Sequence, residues 1–165
     1  MALNTGKGQS QADGATRQFI SITIGDEEYG VDIIAIREIR GWTPTTILPD
    51  SPAHMRGVID LRGSVVPVLD LRARFGRGLT EAAPRHVIMV VNVDGRDVGI
   101  LVDAVADILT VPADAIQPVP ELEHAHAQRH DVLSGIVAVD GRMVALLDLE
   151  HLLDSDDADT APPSH

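Results

Sequence analysis

Two stretches of this chain align with each other without a gap. Gly57 to Phe75, GVIDLRGSVVPVLDLRARF, and Gly135 to Leu153, GIVAVDGRMVALLDLEHLL, place Gly57 on Gly135, Gly63 on Gly141 and Asp70-Leu71 on Asp148-Leu149. YGVDIIAIREI likewise matches VGILVDAVADI, with Gly30 on Gly99 and Glu38 on Asp107. An internal duplication of this kind restricts the fold to two similar units. Copies of roughly 65 to 75 residues, mostly strand, are too few for a solenoid and suit two small closed β-barrels side by side. Closure matters, because open aliphatic edges template aggregation.

The local patterns agree with an all-β class. FISITI alternates, with Ile20, Ile22 and Ile24 on one face, then turns at Gly25, Asp26 and Glu27 into YGVDI. HVIMVVNV turns at Asp94-Gly95, a pair suited to a type I′ hairpin, into RDVGILV. Helix signals are short: Ser51 as N-cap with Pro52 behind it, the stretch after Asp70 through Phe75, Pro112 to Ile116, and Asp148 to Leu153. The first 16 residues and the acidic end from Asp154, DSDDADTAPPSH, hold too little apolar surface to offset the entropy of ordering, and both are expected to be tails. Between them, Gly76 to Arg85 has loop composition. It is the expected boundary, with a first barrel over roughly 17–80 and a second over roughly 85–153, unless the barrels exchange terminal strands.

Composition removes several functions. The chain has no cysteine, so disulfides, thiolate zinc sites and cysteine nucleophiles are excluded. A formal net charge of −12 repels nucleic-acid phosphates and anionic lipid, and 2% aromatic residues leave little to stack bases on. No apolar stretch resembles a signal peptide or approaches the roughly 20 residues of a membrane span, so a cytoplasmic location is expected. Gly76 and Gly78 lack the third glycine and the Lys-Ser/Thr of a phosphate cradle, and Ser134 lacks the frame of a nucleophile elbow. His124, His126 and His130, near Glu121 and Glu123, are the one metal-like constellation. They follow Gln117-Pro118-Val119-Pro120 in a polar stretch, which reads as an exposed loop with solvated histidines, so neither metal nor cofactor is expected. Asp154 to Asp159 read as a solvated tail. What is left favours recognition over catalysis.

GVIDLRGSVVPVLDLR, preceded by GDEEYGVDIIAIREI and followed by VGILVDAVADIL, closely resembles the CheW family of chemotaxis coupling proteins. The likeness runs from about Phe19 to Leu153 and includes the LSGIVAVDGRMVALLDLEHLL ending. It implies two SH3-like five-stranded barrels and a non-catalytic adaptor, monomeric outside the array, that links methyl-accepting chemoreceptors to the regulatory domain of the histidine kinase CheA. A related adaptor of another sensory output, such as surface motility or development, would have the same fold. The resemblance further implies a receptor surface at Ile33, Ile36, Glu38, Ile39, Val87, Val105 and Ile108. The aliphatic members suit a barrel core equally well. A further surface, facing kinase or receptor, is implied at Gly57, Arg62, Gly63, Glu121 and Leu122, although Gln117 stands where many relatives carry a basic residue. Glu38 and Arg62 are expected to lie close together, either at a working surface or as a plain surface ion pair. The repeated glycines, Gly57, Gly63, Gly99, Gly135 and Gly141, are expected to shape the hairpins.

Overall fold

The computed structural model describes residues 15–49, 51–120 and 132–153. These form ten strands: β1 (Thr16–Ile24), β2 (Glu27–Asp32), β3 (Ile36–Gly41), β4 (Met55–Leu61), β5 (Ser64–Asp70), β6 (Val87–Val93), β7 (Arg96–Val102), β8 (Ala104–Pro112), β9 (Leu133–Val139) and β10 (Arg142–Leu147). Among the described residues helical structure is confined to α1 (Leu71–Arg74), 3-10 turns at Ile33–Ala35 and Ala113–Ala115, and a final turn over 149–153. The helix expected behind Ser51-Pro52 does not form. Ser51 donates its hydroxyl to the Leu48 carbonyl, and β4 begins at Met55, which leaves no room to nucleate a helix.

Three hairpins turn on two residues with positive φ: Arg62-Gly63 (52° and 88°), Asp94-Gly95 (53° and 81°) and Asp140-Gly141 (50° and 83°). This is type I′ geometry, whose twist matches that of the flanking strands.

The ten strands form two five-stranded sheets, ordered β8-β1-β2-β10-β9 and β3-β6-β7-β5-β4. Taking β1–β5 and β6–β10 as the two copies, each sheet uses the first two strands of one copy and the last three of the other, in the same spatial order. The exchange is reciprocal, and the parallel pairs β2–β10 and β5–β7 each join strands of different copies. Gly76 to Arg85 therefore connects two strands of one sheet and is not a boundary in space. One barrel, β3 to β7, is continuous in sequence; the other is split.

The copies also correspond in their irregular parts. Thr46 bridges Val58 just before the first repeat's hairpin, and Gln117 bridges Ile136 just before the second's. A Cβ on Gly57 would lie 2.2 Å from the Thr46 carbonyl oxygen, so this position admits no side chain.

Alternation sends apolar side chains to three cores. Ile88, Val90, Leu101 and Val66 fill the continuous barrel, and Phe19, Val144, Leu146 and Leu109 fill the split one. The opposite faces, including Ile20, Ile22, Ile24, Met89, Val91 and Ile100, meet between the barrels in a central cluster of nineteen buried residues, against seven and six in the interiors. The expected single face of Ile20, Ile22 and Ile24 is thus the face that joins the barrels.

Candidate protein-interaction surface

The chain crosses from one barrel to the other at two equivalent places, and the seam between the barrels is built from both. After β2, Asp32 caps the turn Ile33–Ala35 by accepting from the Ile34 N–H at 3.0 Å, and β3 starts in the continuous barrel. After β7, Asp103 returns the chain to the split barrel. Its Oδ2 accepts from the Gly25 N–H at 2.7 Å and from Arg72 at 3.0 Å, which ties the β1–β2 turn to α1.

β3 and β8 are edge strands, each next to a strand whose outer face belongs to the central cluster. Cross-strand partners share a face. Ile36 is paired with Val91 and Ile39 with Met89; Val105 is paired with Ile22 and Ile108 with Ile20. All four partners belong to the central cluster, so Ile36, Ile39, Val105 and Ile108 extend it outward onto the edges. Each edge also carries a register shift between these two positions, the same bulge in both copies.

None of the seven residues of the expected receptor surface is fully buried. Ile33, Ile36, Glu38, Val87 and Val105 are half-buried, while Ile39 and Ile108 are 41% and 57% exposed. A complete barrel-core role is thereby excluded for the aliphatic members, although Ile36, Val87 and Val105 also pack against the central cluster.

Glu38 and Arg62 meet: the Arg62 guanidinium donates to Glu38 Oε1 at 2.6 Å. Arg40 stands 3.6 Å from the other carboxylate oxygen. Glu38 lies on β3 and Arg62 in the β4–β5 turn, so the pair joins the two edge strands of the continuous barrel's sheet. Above all the bond from Arg62 holds the Glu38 carboxyl below its ordinary value, and the same bond raises the guanidinium. The Arg62 side chain stays 74% exposed. Gly63 follows it in the open turn, whereas Gly57 is buried behind Thr46 and shapes the strand without offering a contact surface.

A family model for the CheW-like domain matches residues 18–157. The chain belongs to the CheW family. It is 48% identical over 145 residues to a probable chemotaxis protein CheW of Rhizobium etli, covering 88% of this chain and 92% of that one. It is 46% identical over 145 residues to chemotaxis protein CheW of Rhizobium meliloti, with the same coverage. Among solved structures it is similar to the scaffolding protein TtCheW from Thermoanaerobacter tengcongensis, with a TM-score of 0.76, 28% identity, and coverage of 84% of this chain and 92% of that one.

Several expected positions of this CheW-family chain fall elsewhere. Glu121 and Leu122, and the histidines His124, His126 and His130, lie outside the described residues. Gln117 is used through its backbone, exchanging N–H and carbonyl with Ile136, beside an apolar recess of Pro118, Pro120, Ala138 and the 64% exposed Met143. Among the described residues no group of three or more His, Asp or Glu could hold a metal, and no helix is long and apolar enough to cross a membrane.

The sequence reading missed Ile34, 89% exposed at the β2–β3 crossover, and Asp103, the clamp at its counterpart. A signal existed for the first. Adjacent Ile33 and Ile34 break the alternation of the run, so one of them has to leave the core.

Proposed function

We propose that this chain is a non-catalytic adaptor that couples methyl-accepting chemoreceptors to the histidine kinase CheA. The observation that carries the reading is the outward continuation of the central cluster onto both edge strands, where Ile39 and Ile108 stay accessible beside half-buried Ile36, Val87 and Val105. An amphipathic receptor helix needs such an apolar strip, with charged residues at its rim to set register. Glu38 and Arg62 supply that rim. The family resemblance assigns Arg62 and Gly63, with Glu121 and Leu122, to contacts with kinase or receptor, so Arg62 serves both the rim and that surface in this reading. The protein acts in the cytoplasm, recruited to receptor arrays, and is monomeric outside them.

The test is capture of CheA and a chemoreceptor signalling fragment from host lysate by the purified chain, with Arg62→Ala alongside. Capture of both by wild type, and loss of at least one by a variant that melts normally, is expected. Capture of neither by folded wild type overturns the coupling reading.

A further inference from the structure

The duplication creates an ambiguity for any helix lying along the seam. β3 and β8 present equivalent walls, Ile36 and Ile39 on one, Val105 and Ile108 on the other, so apolar contact alone barely distinguishes the two directions the helix could run. The charges at the two crossovers do distinguish them.

At the β2–β3 crossover a cleft is lined by four carboxylates, Asp32, Asp94, Asp148 and Glu150, against two guanidiniums, Arg17 and Arg37. At the β7–β8 crossover a second cleft is lined by three guanidiniums, Arg72, Arg77 and Arg85, against two carboxylates, Glu81 and Asp103. Some of these are already paired: Arg17 with Asp32 at 2.9 Å and Arg72 with Asp103 at 3.0 Å. Arg37 and Arg77 reach carboxylates outside the clefts, Asp97 and Glu27. With those two included, the first end has five carboxylates against two guanidiniums and the second three against three, so the polarity comes chiefly from the acidic end. The asymmetry is also written into the repeat itself. Asp70-Leu71-Arg72 in one copy is Asp148-Leu149-Glu150 in the other, a reversal of charge at equivalent positions. Glu150 and Arg85 are exposed, and their side chains make no hydrogen bond or ion pair among the described residues.

We propose that this polarity sets the direction of the docked partner. A partner helix in the seam lies with its N-terminal end, and any basic side chains there, toward Asp94 and Glu150. Its C-terminal end, and any acidic side chains there, lies toward Arg72 and Arg85. The inference rests on the seam being the receptor groove. Helix ends carry about half an elementary charge of opposite sign, and turning the helix round exchanges a favourable for an unfavourable contact at the acidic end. For an exposed, screened site this gives a preference of roughly threefold to tenfold for one direction.

The chain has no cysteine, so single reactive positions can be introduced at Ile34, at one crossover, or at Ala104, at the other. Each would carry a short photo-crosslinker and be mixed with the receptor signalling fragment. The captured residues would be mapped by mass spectrometry in the wild-type background and in R85E/E150K. Capture of the N-terminal half of the bound helix from Ile34→Cys and of the C-terminal half from Ala104→Cys is expected, with the pattern mixed or exchanged in the double variant. Both halves captured from each position in the wild-type background, or a folded double variant with an unchanged pattern, would overturn the polarity and leave the groove standing. Binding without a crosslink at either position would overturn the groove, and the direction with it. The wild-type arm decides the matter even if the double variant fails to fold.

Discussion

Arg62 holds a backbone conformation that the other two hairpins give to Asp94 and Asp140, at φ 52° beside 53° and 50°. Aspartate and asparagine tolerate that region better than a long side chain does. An arginine there sacrifices local preference for reach, and its guanidinium is spent on Glu38 at the rim of the seam. Arg62→Asn should therefore melt at the wild-type temperature or slightly above it, while capture of receptor or kinase falls. A drop of several degrees would instead make the pair structural. Glu28 behaves differently. Arg142 donates to it from Nε at 2.6 Å and Nη2 at 3.2 Å, the buried Ser21 hydroxyl adds a third bond, and the carboxyl is held below its ordinary value, chiefly by Arg142 and against the opposing effect of burial. Because the folded value is the lower one, the unfolded chain binds the proton first as pH falls. The stabilisation is complete above the ordinary carboxylate range and is lost on acidification through the lowered folded value. Thermal melts should show Glu28→Gln a few degrees below wild type at pH 7, with the gap closing toward pH 3.

At the scale of elements, the repeated Asp-Leu has two different jobs. Asp70 is fully buried and accepts from the Thr80 N–H at 2.8 Å, the Thr80 hydroxyl at 2.8 Å and the Ala73 N–H at 3.2 Å, with Arg56 3.5 Å away. It caps α1 and pins the loop that leads to β6. Asp148 caps the exposed last turn, accepting from the His151 N–H at 3.1 Å, with the His151 ring Nδ1 2.7 Å from its other carboxylate oxygen. In urea unfolding, Asp70→Ala should cost about 3 kcal/mol, since it orphans buried donors, and Asp148→Ala about 1 kcal/mol, the value of an ordinary cap. The hairpin at Asp94-Gly95 was legible in the sequence because alternation and turn chemistry agree there. The duplication was legible because it preserves the turn glycines. Accessible and core aliphatics could not be separated, since both faces of the central strands are apolar: Ile88 and Val90 face the barrel interior, Met89 and Val91 face the other barrel. Nor could the Asp103 clamp be read, because its partners Gly25 and Arg72 lie 78 and 31 residues away and meet it only through the strand exchange. The Glu38–Arg62 contact came from family resemblance, not from spacing.

For the whole molecule, the largest core lies between the barrels, and each sheet depends on strands from both copies. The barrels should therefore unfold together. Calorimetry should give one transition, and fluorescence of Trp42, which packs against the continuous barrel's core, should follow the same curve as far-UV circular dichroism. Ile22→Ala, in the central cluster, should lower both midpoints in step, at a cost of about 3 kcal/mol. A Trp42 signal that survives while half the β signal is lost would show the continuous barrel to be autonomous.

The reciprocal exchange of strands also has a consequence for symmetry. A half-length chain holding only β1 to β5 could not close a barrel with its own strands in this order, yet two such chains trading their last three strands would build the same pair of barrels. The present molecule has the geometry of that swapped homodimer with its subunits joined end to end through residues 76–85. Within one chain the two halves need not be identical, and a surface that a homodimer would force to be symmetric has a front and a back.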